Sequence, residues 1–234
     1  PSLLVTYSST LCMASKFDAV EDKLFAAEDA LKGRERDEFV RDLIGHIASN
    51  RAFLAVTQRK TQTVLSQSKI ALEYLHPDNI AVRTSTNWIL GMAYHEQGNL
   101  DAARSTLEET ISICNSTGNF VVGISAASVL GEVYEEKNEI NLAATTYQNC
   151  IKAQGSMPLG VSAYFSHLGL SRIFYEWNDI ETSYKHCLKS VELSKQLVNT
   201  DTIITCEVFL ARIKIFYKDY NEATLACFAK SRPT

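Results

Sequence analysis

Leu90 to Ala103 reads LGMAYHEQGNLDAA, and 40 residues on, from Leu130 to Ala144, the chain reads LGEVYEEKNEINLAA. Two more segments fall into the same frame. Leu100, Ile140, Ile180 and Tyr220 stand 40 residues apart. Three residues beyond each comes a small side chain, Ala103, Ala143, Ser183 or Ala223, and seven beyond comes Leu107, Tyr147, Cys187 or Cys227. Ten residues before each anchor stands Leu90, Leu130, Leu170 or Leu210, followed directly by small Gly91, Gly131, Ser171 or Ala211.

These columns have a mechanical meaning. Positions three and seven beyond an anchor share one helical face with it, as does an aromatic four residues after a leucine, for example Leu90 with Tyr94. A small residue lets another helix approach closely, and the large residue a turn away fills the remaining space. Each unit therefore holds two amphipathic helices. The short polar turns between them carry Gly98, Asn138 and Asn178, which suit the left-handed residue that ends a helix.

One hairpin cannot bury its apolar stripe alone, so neighbours must stack. The expected fold is all-α: a superhelical solenoid of about six antiparallel helix hairpins with a 40-residue period. Helices are expected near 1–15, 17–32, 36–56, 60–75, 80–97, 100–116, 120–137, 140–155, 160–177, 179–198, 201–217 and 219–231. Residues 1–234 read as a single repeat domain. The start on Pro1, without Met, reads as an excerpt from a longer chain.

Bulk composition narrows the classes of function. A hydrophobic fraction of 46% is that of a folded protein, not a disordered one. A net charge of -4 does not suit a phosphate-binding surface, so no direct nucleic-acid contact is expected. The apolar stretch 120–131 is too short to span a bilayer, so no membrane partner is expected. The mixed-sign stretch KGRERDEFVR, Lys32 to Arg41, reads as a solvated turn. The 6 Cys form no C-x-x-C pair and read as reduced thiols of a cytoplasmic protein.

Chemistry-bearing motifs are absent from the sequence. There is no G-x-x-x-x-G-K-[ST], no H-E-x-x-H and no G-x-S-x-G. His46, His76, His95, His167 and His186 are scattered without ligand spacing and read as surface or groove residues. Cys187 and Cys227 share a packing column with Leu107 and Tyr147, which favours packing over a nucleophile. No enzyme activity, metal or cofactor is expected.

The columns resemble the tetratricopeptide pattern through Leu90, Gly91, Tyr94, Ala103 and Leu107. That repeat is usually about 34 residues long, so a 40-residue period implies longer helices. A closer resemblance is to the helical region of MalT-like regulators, the large nucleotide-binding members of the LuxR transcription factors. It is best from about Ala81 to Leu193 and is carried by VRTSTNWILGMAYHEQGNLDAA, the STGN that follows, and IFYEWNDIETSYKHCLKSVEL. The resemblance implies a module between a nucleoside-triphosphatase switch and a helix-turn-helix. It further implies that the module senses an inducer such as a sugar, and takes part in self-association.

In stacked hairpins the first helices usually line the concave face. Three columns spaced by 40 would then be exposed: Met92, Glu132, Arg172 and Arg212; Trp88, Ser128, Leu168 and Val208; His95, Glu135, Tyr175 and Ile215. The expected groove residues are Trp88, Met92, His95, Glu132, Glu135, Arg172, Tyr175 and Arg212. Aromatic faces with polar donors and acceptors suit a small-molecule inducer or a peptide or protein partner, and the two arginines could fork a carboxylate or phosphate. Two readings stay open: Glu132 and Arg172 pair only with each other, or the groove holds a ligand. A second function also stays open, a general peptide-binding scaffold unconnected with transcription.

Overall fold

The structure, a computed structural model, describes residues 1–14, 16–34, 37–154, 160–196 and 200–216. Among these residues the chain is all α, with no strand. Eleven α-helices follow one another: α1 (Ser2–Met13), α2 (Val20–Asp29, preceded by a 3-10 turn at Phe17–Ala19), α3 (Glu38–Thr57), α4 (Thr61–Tyr74), α5 (Ile80–Glu96), α6 (Leu100–Thr117), α7 (Phe120–Glu136), α8 (Ile140–Gln154), α9 (Gly160–Glu176), α10 (Ile180–Ser194) and α11 (Thr200–Phe216). Each lies within a few residues of an expected helix. The expected helix at 219–231, with Tyr220, Ala223 and Cys227, lies outside the described residues. Odd-numbered helices are the first helices of hairpins, even-numbered ones the second.

The turns explain why the hairpins close so tightly. Gly98, Asn138 and Asn178 have φ of 78, 59 and 60 degrees, the left-handed conformation expected of them. The next residue's N–H then reaches back to the preceding helix: Asn99 to Tyr94 O at 2.9 Å, Glu139 to Tyr134 O at 2.8 Å, Asp179 to Phe174 O at 2.9 Å. Two of those residues also start the next helix. The side chain of Asn99 accepts from Ala102 N at 3.3 Å, and that of Asp179 from Thr182 N at 3.1 Å. One residue thus ends one helix and caps its successor. The α3–α4 turn, with Arg59 at φ 53 degrees, makes the same backbone bond, Lys60 N to Ala55 O at 3.0 Å, without a side-chain cap.

The stretch Lys32 to Arg41 is only partly a turn. Asp37 caps α3, accepting from Phe39 N at 2.9 Å and Val40 N at 3.4 Å, so residues from Glu38 on belong to a helix. Cys12, Cys114, Cys150, Cys187 and Cys206 are buried, and none of them is joined in a disulfide among the described residues. Among the described residues no helix is long and apolar enough to cross a membrane.

The chain divides into two compact units, Pro1–Ala126 and Ala127–Thr234. In the first unit one core gathers Val5, Leu24, Val40 and Ile47 from α1, α2 and α3. Another joins Ala52, Leu65, Ile89 and Leu90 from α3, α4 and α5. In the second unit Tyr164, Leu168, Cys187, Cys206 and Ile213 bring together α9, α10 and α11.

The small columns are notches cut for large side chains. A Cβ on Gly91 would stand 2.7 Å from Leu107, and a Cβ on Gly131 or on Gly169 would stand 2.3 Å from the Tyr147 ring. Tyr147 is fully buried, wedged between two glycines on different helices. At the equivalent place in the α9–α10 hairpin, two serines replace the Gly and Ala. Ser171 Oγ donates to Ser183 O and Ser183 Oγ donates to Ser171 O, each at 2.7 Å. The hydroxyls bond across the hairpin, so the approach stays close without leaving a buried polar atom unmet.

Gly131→Ala should therefore cost about 1–3 kcal/mol by overfilling the notch. The check is a thermal melt of variant against wild type. An unchanged midpoint would mean that the Tyr147 ring can move aside.

Candidate functional site

The eight expected groove residues fall in two units. Trp88, Met92 and His95 lie on α5 in the first, each half-buried. Trp88 packs against the core that holds Leu65, Ile89 and Leu90. Its Nε1 is buried and finds no hydrogen-bond partner among the described residues.

The other five lie in the second unit, Glu132 and Glu135 on α7, Arg172 and Tyr175 on α9, and Arg212 on α11. The structure brings them together in two groups. In the first, the Arg172 fork closes on Glu135: Nε donates to Oε2 at 3.0 Å and a terminal nitrogen donates to Oε1 at 2.7 Å. Glu132 stands 3.8 Å from the same guanidinium. The Tyr147 hydroxyl donates to Glu135 Oε1 at 2.6 Å. Burial alone would lower the Arg172 pKa, but the bonds and charge of Glu135 outweigh it and drive the pKa up. Tyr147 is held well above the usual phenol range, by burial first and then by the Glu135 charge.

In the second group the Arg212 guanidinium lies over the Tyr175 ring, 4.7 Å from its centroid, with the Phe209 ring at 6.0 Å. Its carboxylate neighbour, Glu176, is 3.9 Å away. The Arg212 side chain is 58% exposed, against 32% for Arg172. The two arginines share a register yet differ in role. Arg172 has its fork occupied, whereas Arg212 presents its charge to solvent on an aromatic support.

One expected column is overturned in its middle. Ser128 and Leu168 are each only 3% exposed. Ser128 Oγ lies 3.4 Å from Ser166 Oγ on α9, and Leu168 belongs to the core with Cys206, Leu210 and Ile213. The reason is that α9 covers this stripe of α7, and α11 covers that of α9.

Two features were not foreseen. Tyr147 read as packing alone, although a buried phenol needs a partner for its hydroxyl. The histidines are not all surface or groove residues either. His167 and His186 meet, Nδ1 to Nδ1 at 2.9 Å, with Phe174 stacked on His186 at 5.6 Å between ring centroids. Hairpin register was the available signal, since Ser171 faces Ser183 and His167 lies one turn before the first as His186 lies just after the second. Among the described residues no group of three or more His, Cys, Asp or Glu is placed to hold a metal ion.

Comparison with known proteins places this architecture. The MalT-like TPR region family matches residues 45–230, and the chain belongs to that family. No curated protein sequence matches it significantly. Among solved structures it is similar to the apo form of the quorum sensor NprR from B. thuringiensis, at 16% identity and a TM-score of 0.78, covering 96% of this chain and 62% of that one. It is also similar to NprR in complex with its cognate peptide NprX, at 17% identity and 0.74, covering 96% and 64%. The apo form of RapI gives 9% and 0.67, covering 96% and 74%. At such identities the likeness is one of fold.

Two predictions follow from the polar groups. Arg172→Ala leaves two carboxylates facing one another without a counter-charge and should cost about 1–3 kcal/mol, while Tyr147→Phe, removing one hydrogen bond, should cost about 0.5–1.5 kcal/mol. Chemical denaturation of both variants gives the order, and the reverse order would make the hydroxyl the main support of Glu135. The second concerns pH. Burial first, then His186 and Lys189, hold His167 down to about 4, with Glu192 opposing. An unfolded imidazole takes its proton near 6.5, so the unfolded chain binds more protons between about 6.5 and about 4. Stability should therefore fall as pH drops through that window. Half-buried His46, its pKa lowered by burial against the opposing charge of Asp42, acts in the same direction. His167→Asn should flatten the fall in melting temperature without abolishing it, and superimposable profiles would contradict the assignment.

Proposed function

We propose that this chain is the interaction module of a MalT-like transcriptional regulator and that its function is binding, not catalysis. Its ligand is a peptide or a segment of a partner protein, received along the first helices of the second unit. The whole of 1–234 serves as one repeat domain in the cytoplasm. A nucleoside-triphosphatase switch and DNA-binding elements belong to other parts of the regulator, and ligand binding or self-association here biases that switch.

The observation that carries the reading is Arg212, an exposed guanidinium over the Tyr175 ring, one helix on from the closed Glu135–Arg172 pair. A charged point anchor flanked by half-buried acidic and basic groups suits a chain with charged ends or side chains. A sugar would need an open aromatic face. The Tyr175 face is taken by Arg212, and Trp88 is packed into a core with its N–H buried. These facts favour a peptide over a sugar inducer. The likeness in fold to NprR, solved with its cognate peptide, gives the same direction.

A random seven-residue linear peptide library panned on the chain tests this. We expect an enriched family of peptides whose affinity drops at least tenfold in Arg212→Ala, with helical content unchanged. No enrichment, or enriched peptides indifferent to Arg212→Ala and Glu132→Gln, would remove the proposal. A panel of mono- and disaccharides run as a melting assay decides the rival: a sugar that raises the midpoint where no peptide binds defeats the peptide reading.

A further inference from the structure

The left-handed turn residue sets the α3–α4 hairpin in register with the later ones. Four residues before it stand Tyr94, Tyr134 and Phe174 in the later hairpins, but Ala55 in α3. The carbonyl of each accepts the backbone bond that closes its turn, so the positions are equivalent. Eight residues before it stand the buried Leu90, Leu130 and Leu170, but Arg51 in α3. Directly after it come Asn99, Glu139 and Asp179, but Lys60 here. Three columns change character together in one hairpin.

The aromatic column reaches the neighbouring second helices. Lys69 of α4 lies over the Tyr94 ring, 5.8 Å from its centroid, and Phe174 stacks on His186 of α10. Where Ala55 replaces the ring, a cavity of about 350 Å³ opens between α2 and α4. Buried Leu54 and Ala55 make an apolar floor, Glu21 enters from α2, and Lys60 and Thr63 enter from the start of α4. The volume is near the lower end of small-molecule sites, which begin at roughly 300 Å³.

The charges on the walls are unevenly used. Arg51 closes on Glu28 through two bonds, at 3.1 and 2.9 Å. Glu21 takes Arg51 Nε at 3.0 Å through one oxygen, and its side chain is 55% exposed. Lys60 pairs with no carboxylate among the described residues, and unlike Asn99 and Asp179 it caps nothing. With the Arg51–Glu28 pair neutral, one carboxylate and one ammonium are left, carried on different walls of the same cavity. A simple anion would meet Glu21 and a simple cation would meet Lys60. A molecule bearing both charges answers both.

We propose that the cavity between α2 and α4 binds a small zwitterion of amino-acid to dipeptide size. Its ammonium sits on Glu21, its carboxylate on Lys60 and Thr63, and its aliphatic body on Leu54 and Ala55. This site lies wholly in the first unit and does not depend on the peptide site proposed above.

Calorimetry of the chain with ω-amino acids from glycine to aminohexanoate, and with dialanine, tests this. We expect saturable binding of at least one member, weakened at least tenfold when its amine is acetylated or its carboxylate is made an amide. Glu21→Gln and Lys60→Gln should each weaken it at least tenfold. Both side chains reach solvent, so circular dichroism should report an unchanged fold. The acetylated form should be indifferent to Glu21→Gln and the amide form to Lys60→Gln. Ala55→Phe, which puts an aromatic back in the column, should abolish binding. No saturation by any member at tens of millimolar would overturn the proposal. So would binding that ignores both Glu21→Gln and Lys60→Gln. Acetate binding as tightly as the zwitterions, and more tightly in Glu21→Gln, would make this a simple anion site and overturn it too.

Discussion

The notch that receives Tyr147 is the constraint on which the second unit depends. The ring stands where Gly131 and Gly169 leave no room for even one added carbon. Close-packed interiors transmit such a fit as position. With the ring fixed, its hydroxyl emerges at the rim of the notch and holds Glu135, and Glu135 in turn fixes the Arg172 fork. One side chain therefore serves both the apolar packing of α7, α8 and α9 and the polar cluster above it. The residue after the notch is half-buried at Met92, Glu132 and Arg172 and exposed at Arg212. It is close enough to be positioned and open enough to meet a ligand.

The frame was legible wherever a physical need admits few residue types. A notch demands Gly, Ala or Ser, and a left-handed turn residue favours Gly or Asn, so both recur visibly at 40-residue spacing. The α3–α4 hairpin hides because it meets the same needs differently. Its turn uses Arg59 at φ 53 degrees, and its notch is Gly45 against Leu75, a Cβ there standing 2.6 Å from Leu75 N. Gly45 does not stand a multiple of 40 residues from Gly91 or Gly131. Candidate-site residues were legible as columns but not as exposures. Whether Ser128 or Leu168 faces solvent depends on the next first helix, a contact some 38 residues away that no local pattern encodes. The His167–His186 meeting likewise needed the register of the hairpin, not the spacing of the histidines.

This division between fixed and variable positions explains how one fold tolerates so little shared sequence. NprR matches the backbone with a TM-score of 0.78 at 16% identity. The demands at the notch, its filler, the turn residue and the core positions are for size, apolarity or backbone freedom, not for one residue type. The Ser171–Ser183 exchange shows that even the notch accepts polar residues if their hydrogen bonds close on each other.

The two arginines show what the variable positions can then do. Arg172 and Arg212 occupy the same place on successive first helices, and each looks back 37 residues to the helix before it. Arg172 finds Glu135 there and is closed into a forked ion pair. Arg212 finds Tyr175, which supports the guanidinium from beneath but offers it no carboxylate. A carboxylate at the facing position spends the arginine on structure, and an aromatic leaves its charge outward. The change from Glu135 to Tyr175 thus converts a structural cross-link into an exposed cation without moving a helix. In a repeat whose packing is set by notches, binding chemistry can be written one facing residue at a time.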